Sequence, residues 1–125
     1  MPEKLLYISV GAVLGACARY LLSNYVARHA FSGFPYGTLL INITGSLLLG
    51  FFLIVATERL FVADRWRLLV AVGFCGSYTT FSSYAFESFA LIEQGQWSQV
   101  AWNVIGSNVL CLGAVVLGAA LARWI

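Results

Sequence analysis

The chain has 125 residues, of which 61% are hydrophobic and 10% are charged, and its formal net charge is +2. Soluble proteins carry about 25% charged residues, so the composition excludes an ordinary soluble domain. The small net charge provides no electrostatic footprint for DNA or RNA, and we expect no nucleic-acid partner.

Four long apolar blocks follow one another along the sequence, and each has the roughly 20 residues that a membrane-spanning helix needs. The predicted helices cover residues 4–27, 36–59, 66–93 and 98–124. The connections between them are short, so residues 1–125 are predicted to form a single all-α transmembrane domain of four helices.

The first predicted helix carries a pattern of small residues, and the second carries a stripe of polar residues. Gly11 and Gly15 in the first helix form a small-xxx-small pattern, which permits close helix packing. The second helix carries a polar stripe, because its polar and small residues recur at i, i+4, i+7 and i+8. The members of this stripe are Thr38, Asn42, Gly45 and Ser46.

The third predicted helix is the most unusual, because residues 73–88 contain six Ser or Thr hydroxyls, two Tyr and one Glu in an otherwise apolar segment. Glycines and hydroxyl residues at 73–80 predict a helix break at mid-membrane. A break of this kind exposes backbone carbonyl oxygens, which can bind a small hard cation such as Na⁺.

Polar groups need partners in hydrocarbon, so the stripes are expected to line a cavity, an ion path or a partner surface. On the third helix one face carries Phe81, Tyr84 and Ser88, and the adjacent face carries Thr80, Ser83 and Glu87. On the fourth helix one face carries Asn103, Ser107 and Cys111.

Hydroxyls, amide N–H groups and aromatic ring edges favour a weakly held anion. For any single Ser or Thr, a hydrogen bond between helices is the simpler interpretation. For Glu87 we expect a carboxylate that neighbouring hydroxyls satisfy.

The distribution of Lys and Arg predicts the orientation of the chain in the membrane. Four spans place both termini on one side, together with five basic residues, Lys4, Arg59, Arg65, Arg67 and Arg123. The other side holds Arg28 and, if its side chain reaches that way, Arg19. The positive-inside rule therefore predicts cytoplasmic termini.

At these residues the sequence resembles the Fluc (CrcB) family of fluoride channels, over essentially its whole length. Three motifs carry the resemblance: Gly11-x3-Gly15-x3-Arg19-Tyr20, then Gly37-Thr38-Leu39-x2-Asn42-x2-Gly45-Ser46-x3-Gly50, then Gly73-Phe74-Cys75-Gly76-x2-Thr79-Thr80-Phe81-Ser82-x4-Glu87.

The resemblance implies an antiparallel, dual-topology homodimer with two narrow fluoride pores along the subunit interface. It also implies a structural Na⁺ at the dimer centre, held by the backbone carbonyls of Gly76 and Thr79. The expected function is passive fluoride efflux across the bacterial inner membrane, in which the chain would be a multi-pass protein surrounded by lipid.

The resemblance also implies roles for individual side chains. Asn42 would donate its amide to fluoride, and Phe81 would present a ring edge to it. The remaining assignments are a second aromatic position at Tyr84, nearby hydroxyls at Thr38 and Thr80, a polar track on the fourth helix at Ser107, and a vestibule or structural role for Arg19 and Glu87.

The chain departs from the family pattern in two places. Tyr84 stands where the family has a second phenylalanine, and Asn103 and Cys111 stand at the other track positions. The charge bias of five against one or two is also large for an antiparallel homodimer. Either the chain inserts in both orientations, or it pairs with an oppositely oriented paralogue.

Three other functions fit the sequence less well. A small multidrug-type exporter would need a titratable carboxylate in the first helix, and residues 5–26 contain none. A non-transporting membrane scaffold subunit would not need three polar stripes. A membrane enzyme would need a catalytic constellation, but the single histidine, His29, has no acidic residue predicted to converge on it, so we expect that the protein is not an enzyme.

Overall fold

The computed structural model describes residues 1–30 and 32–125, and every regular element in this part of the chain is helical. Four helical segments follow one another, which confirms the predicted all-α fold. Helix α1 covers Pro2–His29, and α2 covers Tyr36–Ile54 and continues as a π-helix over Val55–Arg59. The third segment contains α3 (Asp64–Arg67), a π-helix (Leu68–Cys75), α4 (Gly76–Tyr78) and α5 (Phe81–Glu93), and the fourth is α6 (Trp97–Trp124).

Three of these segments are long and apolar enough to cross a membrane, namely Pro2–His29, Tyr36–Arg59 and Trp97–Trp124. The third segment is divided at Thr79 and Thr80, whose backbones are extended. The run before the division, residues 64–78, is called the half-helix 64–78 below. At 1.5 Å per residue, this half-helix and α5 each extend only about 20 Å, so neither alone crosses a bilayer core.

Glycines bring α1 into backbone contact with the half-helix 64–78. A Cβ atom added at Gly11 would collide with the Leu69 carbonyl, and one added at Gly15 would collide with the Phe74 carbonyl. A Cβ at Gly73 would lie 2.6 Å from the carbonyl oxygen of Ile8. The predicted small-residue pattern in the first helix therefore has a packing role, because a larger side chain would force the two backbones apart.

Helices α2 and α6 also pack closely, again through glycine. Gly50 lies against the backbone of Val115, and Gly118 lies against the backbone of Leu47. Where both segments end, the Arg123 guanidinium donates two hydrogen bonds, of 3.0 and 2.8 Å, to the Glu58 carboxylate. These contacts hold α2 and α6 as one rigid pair beside the divided third segment.

Large apolar side chains are mostly exposed, and few are fully buried. Ile41, Cys75 and Leu91 belong to the small core, whereas Phe81 is 78% exposed and Phe86 is 70% exposed. Exposed apolar area on this scale is expected where lipid or another subunit covers the surface.

Candidate functional site

An open cavity of about 520 Å³ runs along the interruption of the third segment, between α2 and α6. Its polar lining comes from all three predicted stripes, and its apolar lining comes from residues such as Leu49 and Leu112. The polar and aromatic lining residues are Asn42, Ser46, Thr79, Thr80, Phe81, Tyr84, Ser107, Asn108 and Cys111. The fold thus brings together side chains that lie up to 69 positions apart in the sequence.

The interruption itself consists of two threonines in extended conformation. Thr79 has φ −76° and ψ 154°, and Thr80 has φ −147° and ψ 110°. The Thr80 hydroxyl oxygen accepts a hydrogen bond of 3.2 Å from the backbone N–H of Ser83. Threonine is a favoured residue at a helix N-cap, and this bond starts α5 directly after the interruption.

The amide of Asn42 is hydrogen-bonded to the extended backbone of Thr80 through both of its polar atoms. Asn42 Nδ2 donates to the Thr80 carbonyl oxygen at 3.1 Å, and the Thr80 N–H donates to Asn42 Oδ1 at 2.8 Å. This pair of bonds is called the Asn42 clamp below. A second N–H on Nδ2 remains, so the side chain can still donate one more hydrogen bond.

The Asn42 clamp and the Thr80 cap together redirect two backbone donors. In a continuous α-helix the N–H of Thr80 would bond to the carbonyl of Gly76, and that of Ser83 would bond to the carbonyl of Thr79. In this fold these N–H groups donate to Asn42 Oδ1 and to Thr80 Oγ1. The carbonyls of Gly76 and Thr79 thereby lose their helical donors, and these are the two oxygens that the resemblance assigns to Na⁺.

The last turn of the half-helix 64–78 is supported by residues that the sequence stripes did not identify. The hydroxyls of Thr44 and Tyr78 are 2.8 Å apart, and the Tyr78 ring stacks on Phe74 with ring centroids separated by 5.6 Å. A Cβ atom at Gly45 would collide with the Thr79 methyl group. Thr44 lies outside the polar stripe of α2, so helical periodicity alone had no means of selecting it.

The two aromatic residues predicted for the anion path lie side by side on the cavity wall. The ring centroids of Phe81 and Tyr84 are 5.3 Å apart, and the ring planes are inclined by 54°. Phe81 points away from the rest of its own chain, and Tyr84 is half-buried. Both rings can offer their positive edges to an anion, because the quadrupole concentrates negative charge on the ring faces.

A separate hydrogen-bond network joins α5 to α6 next to the cavity. Asn103 is 2% exposed, and its Nδ2 donates to Ser88 Oγ at 2.9 Å. Ser88 Oγ in turn donates to the Tyr84 carbonyl at 2.8 Å, and the hydroxyl of Ser107 donates to Asn103 Oδ1 at 3.4 Å. Asn103 is therefore a buried link between the helices and does not line the cavity, whereas Tyr84 and Ser107 of this network do.

Several predicted site residues lie away from this cavity. The Thr38 hydroxyl donates to Glu87 Oε1 at 2.7 Å, and both residues line a second cavity of about 270 Å³ beside the end of α1. Glu87 Oε2 and Arg19 Nε are buried and accept or donate no hydrogen bond within the described residues. Gly76 does not line the larger cavity either, although Thr79 does.

Comparison with known proteins supports the resemblance that the sequence motifs carry. Residues 6–119 match the family model described as "CrcB-like protein, Camphor Resistance (CrcB)". The chain is 58% identical over 95 residues to the "Fluoride-specific ion channel FluC" of Koribacter versatilis (strain Ellin345), a match that covers 76% of this chain and 75% of that protein.

Two further relatives carry the same name. The protein from Sulfurihydrogenibium sp. (strain YO3AOP1) is 47% identical over 95 residues, which cover 76% of this chain and 77% of the relative. The protein from Roseiflexus sp. (strain RS-1) is 46% identical over 94 residues, which cover 75% of this chain and 76% of the relative. These names denote ion channels. The family is therefore one of channels, which confirms the prediction that the protein is not an enzyme. The chain is a multi-pass membrane protein of the CrcB family.

Proposed function

We propose that the chain is a fluoride-selective channel that allows passive fluoride efflux across the bacterial inner membrane. The lining of the larger cavity is the observation that carries this proposal, together with the names of the relatives. Asn42 and Tyr84 place an N–H and an O–H donor along one groove, and Phe81 adds a ring edge. Ser107 lines the same groove, and its hydroxyl would donate to an anion by leaving Asn103 Oδ1. Among residues 1–30 and 32–125, no Lys, Arg, Asp or Glu lines that groove, so a small anion meets weak donors in series and is not trapped.

The donor set suits fluoride because hydroxyl and amide groups can replace its hydration water one contact at a time. Asn42 would act with the N–H that its clamp leaves free, while the Tyr84 hydroxyl adds a donor that a phenylalanine lacks. Thr80 would contribute little through its hydroxyl, since Oγ1 already bonds with Ser83. Arg19 and Glu87 lie outside this groove, and for them we propose a vestibule or structural role.

A Na⁺ ion fits the carbonyls of Gly76 and Thr79, because the Asn42 clamp and the Thr80 cap have taken away their helical donors. Unwound carbonyl oxygens inside a membrane protein bind Na⁺ in other folds of this kind. The ion would supply positive charge and would hold the interruption open. The side chains of Asn42 and Thr80 would keep the two carbonyls available in its absence.

A second subunit would complete the path. The cavity lined by Asn42 and Tyr84 is open, and Phe81, which also lines it, is 78% exposed. An antiparallel partner would cover this surface and bring a second set of carbonyls to the Na⁺ site. The partner would be either a second copy of this chain or an oppositely oriented paralogue.

The partner can be identified by the orientation of the chain in cells that express it alone. A cysteine at the exposed Gln94, in the turn between α5 and α6, would serve as the single label site once the native Cys17, Cys75 and Cys111 are replaced by alanine. It would be labelled from both sides of the membrane if the chain inserts in both orientations. Labelling from one side only, without fluoride transport, would exclude the homodimer.

No energy source is needed for this function. Neutral HF, the protonated form of fluoride, crosses a membrane and releases fluoride in the cytoplasm, where the anion accumulates. A membrane potential that is negative inside drives an anion outward by about 2.3 kcal/mol per charge per 100 mV. A passive path therefore drains the cell of fluoride.

Fluoride efflux from liposomes reconstituted with the purified chain tests the proposal. With Na⁺ present, we expect rapid fluoride release and little chloride release. An absence of fluoride efflux would refute the channel assignment, and chloride efflux at the same rate would refute the selectivity.

A further inference from the structure

Five of the seven Lys and Arg residues of the chain gather at one end of the helical bundle. A cavity of about 300 Å³ at that end is lined by Lys4 from α1, by Asp64 and Arg67 from α3, and by apolar residues from α2 and the π-helix Leu68–Cys75. Arg59 lines a neighbouring cavity with Glu58. This end is the one that the positive-inside rule places in the cytoplasm.

The cations of the first of these cavities are not used in ion pairs. Within residues 1–30 and 32–125, the single ion pair shorter than 4.0 Å joins Arg123 to Glu58. Lys4 and Arg67 therefore have no carboxylate at that distance, although Asp64 lines the same cavity. Arg67 is half-buried and lines the cavity.

The rest of this cavity is apolar. Leu53, Leu68 and Val72 form its wall, and these residues belong to segments that cross or enter the membrane. Trp66 is half exposed next to Arg67, as is common for tryptophan at the level of lipid headgroups. The cavity combines the two cations, the single carboxylate of Asp64 and a hydrocarbon wall, so positive charge is in excess beside the apolar surface. This is the complement of an anionic headgroup joined to an acyl chain.

We propose that this cavity binds an anionic glycerophospholipid, with its phosphate against Lys4 and Arg67 and the start of one acyl chain along Leu53, Leu68 and Val72. Guanidinium and ammonium groups are the usual partners of phosphate. Basic residues beside a membrane attract anionic lipid. The apolar wall distinguishes this occupant from free phosphate, which would gain nothing from it.

Native mass spectrometry of the purified chain in a neutral detergent tests the proposal without any measurement of transport. The protein would be offered equal amounts of phosphatidylglycerol and phosphatidylcholine with matched acyl chains. We expect the first bound lipid to be phosphatidylglycerol. In the double variant Lys4→Gln/Arg67→Gln, the preference should fall at least fivefold, since each basic residue near a membrane contributes about a factor of five.

The double variant Arg59→Gln/Arg65→Gln is the matched control, because it removes the same charge from the same end of the bundle but no residue that lines the cavity. We expect it to keep the preference within about twofold, because in neutral detergent only direct contacts act on a headgroup. An equal loss in both double variants would show diffuse attraction and would overturn the proposal, as would an unchanged preference in Lys4→Gln/Arg67→Gln.

Two further measurements keep the outcome interpretable. Lys4→Gln alone changes an exposed residue in the first turn of α1, so it should fold normally and still lose part of the preference. In the same mixture of phosphatidylglycerol and phosphatidylcholine, inorganic phosphate at a concentration equal to that of phosphatidylglycerol should not displace the bound phosphatidylglycerol. Displacement would show that the cavity recognises phosphate alone, and it would contradict the assignment of a lipid.

Discussion

Two asparagines inside membrane helices, Asn42 and Asn103, use the same amide group for different purposes. Asn42 bonds to the backbone of Thr80 and so keeps an N–H away from the carbonyl of Gly76. Asn103 hydrogen-bonds to the side chains of Ser88 and Ser107, and neither bond uses a backbone N–H or carbonyl group.

The difference shows that the partner of a polar side chain decides what it does in a membrane. A side chain that pairs with backbone can open a helix and free carbonyl oxygens for an ion. A side chain that pairs with other side chains holds helices together and frees no backbone carbonyl for an ion. We expect substitutions at the two asparagines to separate ion binding from stability.

The largest effect is expected for Asn42→Ala. This change leaves the Thr80 N–H and carbonyl without their partners, so the free energy of unfolding should fall by about 2–4 kcal/mol. Stabilisation by Na⁺ and fluoride efflux should both be lost, because the carbonyls of Gly76 and Thr79 can return to helical bonding. Denaturant titration in detergent micelles, with and without Na⁺, measures the first two quantities.

The matched control is Asn108→Ala. The Asn108 amide donates only to the Val104 carbonyl of its own helix, at 2.8 Å, and the residue is exposed. A loss of stability in this control as large as that in Asn42→Ala would mean that the Asn42 clamp has no special role.

A smaller effect is expected for Asn103→Leu, which keeps the volume of the side chain and removes its polar atoms. We expect a loss of about 1–2 kcal/mol in the free energy of unfolding, since Ser88 and Ser107 lose a buried partner. The response to Na⁺ should be unchanged. Loss of that response would show that the network between α5 and α6 also controls the cation site, and the contrast between the two asparagines would fail.

Thr80→Val tests the cap that starts α5. The change removes the hydroxyl that accepts from Ser83, at nearly constant volume, and it should reduce the free energy of unfolding by about 0.5–1 kcal/mol. Thr57→Val is the control, because the Thr57 hydroxyl donates only to Leu53 in its own helix. The same unfolding titration compares the two, and an equal loss in both would argue against the cap.

The smallest effect on stability is expected for Tyr84→Phe, because the Tyr84 hydroxyl makes no hydrogen bond within the described residues. If that hydroxyl donates to fluoride, the apparent affinity for fluoride should fall about tenfold, which is typical for a hydrogen bond to a charged group. The fluoride dependence of efflux measures this change. An unchanged affinity with a faster rate would show instead that the hydroxyl obstructs the path.

Much of the fold could be predicted from the sequence because a membrane imposes simple rules. Apolar blocks of about 20 residues predict helices, and Gly11 and Gly15 predict close packing of the first one. The helical periodicity also placed Asn42, Tyr84 and Ser107 on faces that meet at one cavity. These features depend on spacing along a single helix.

Contacts between helices were harder to predict. The polar stripe of α2 placed Thr38 and Asn42 on one helix face, but the Thr38 hydroxyl donates to Glu87 at a different cavity. The polar stripe of α6 assigned Asn103 and Ser107 to the same path, but Asn103 is buried between α5 and α6 and links them. Tyr78 and Thr44 meet only because the half-helix 64–78 ends beside α2. Periodicity gives the face of a helix, and it does not give the residue on the opposing helix.

In the proposed function, Na⁺ binds the opened backbone at Gly76 and Thr79, and Asn42 keeps that backbone open. The most direct test is the free energy of unfolding of the unmodified protein as Na⁺ replaces N-methylglucamine at constant ionic strength. We predict a rise of about 1.4 kcal/mol for each tenfold increase in Na⁺ above its dissociation constant. A free energy of unfolding that does not depend on Na⁺ would contradict the account.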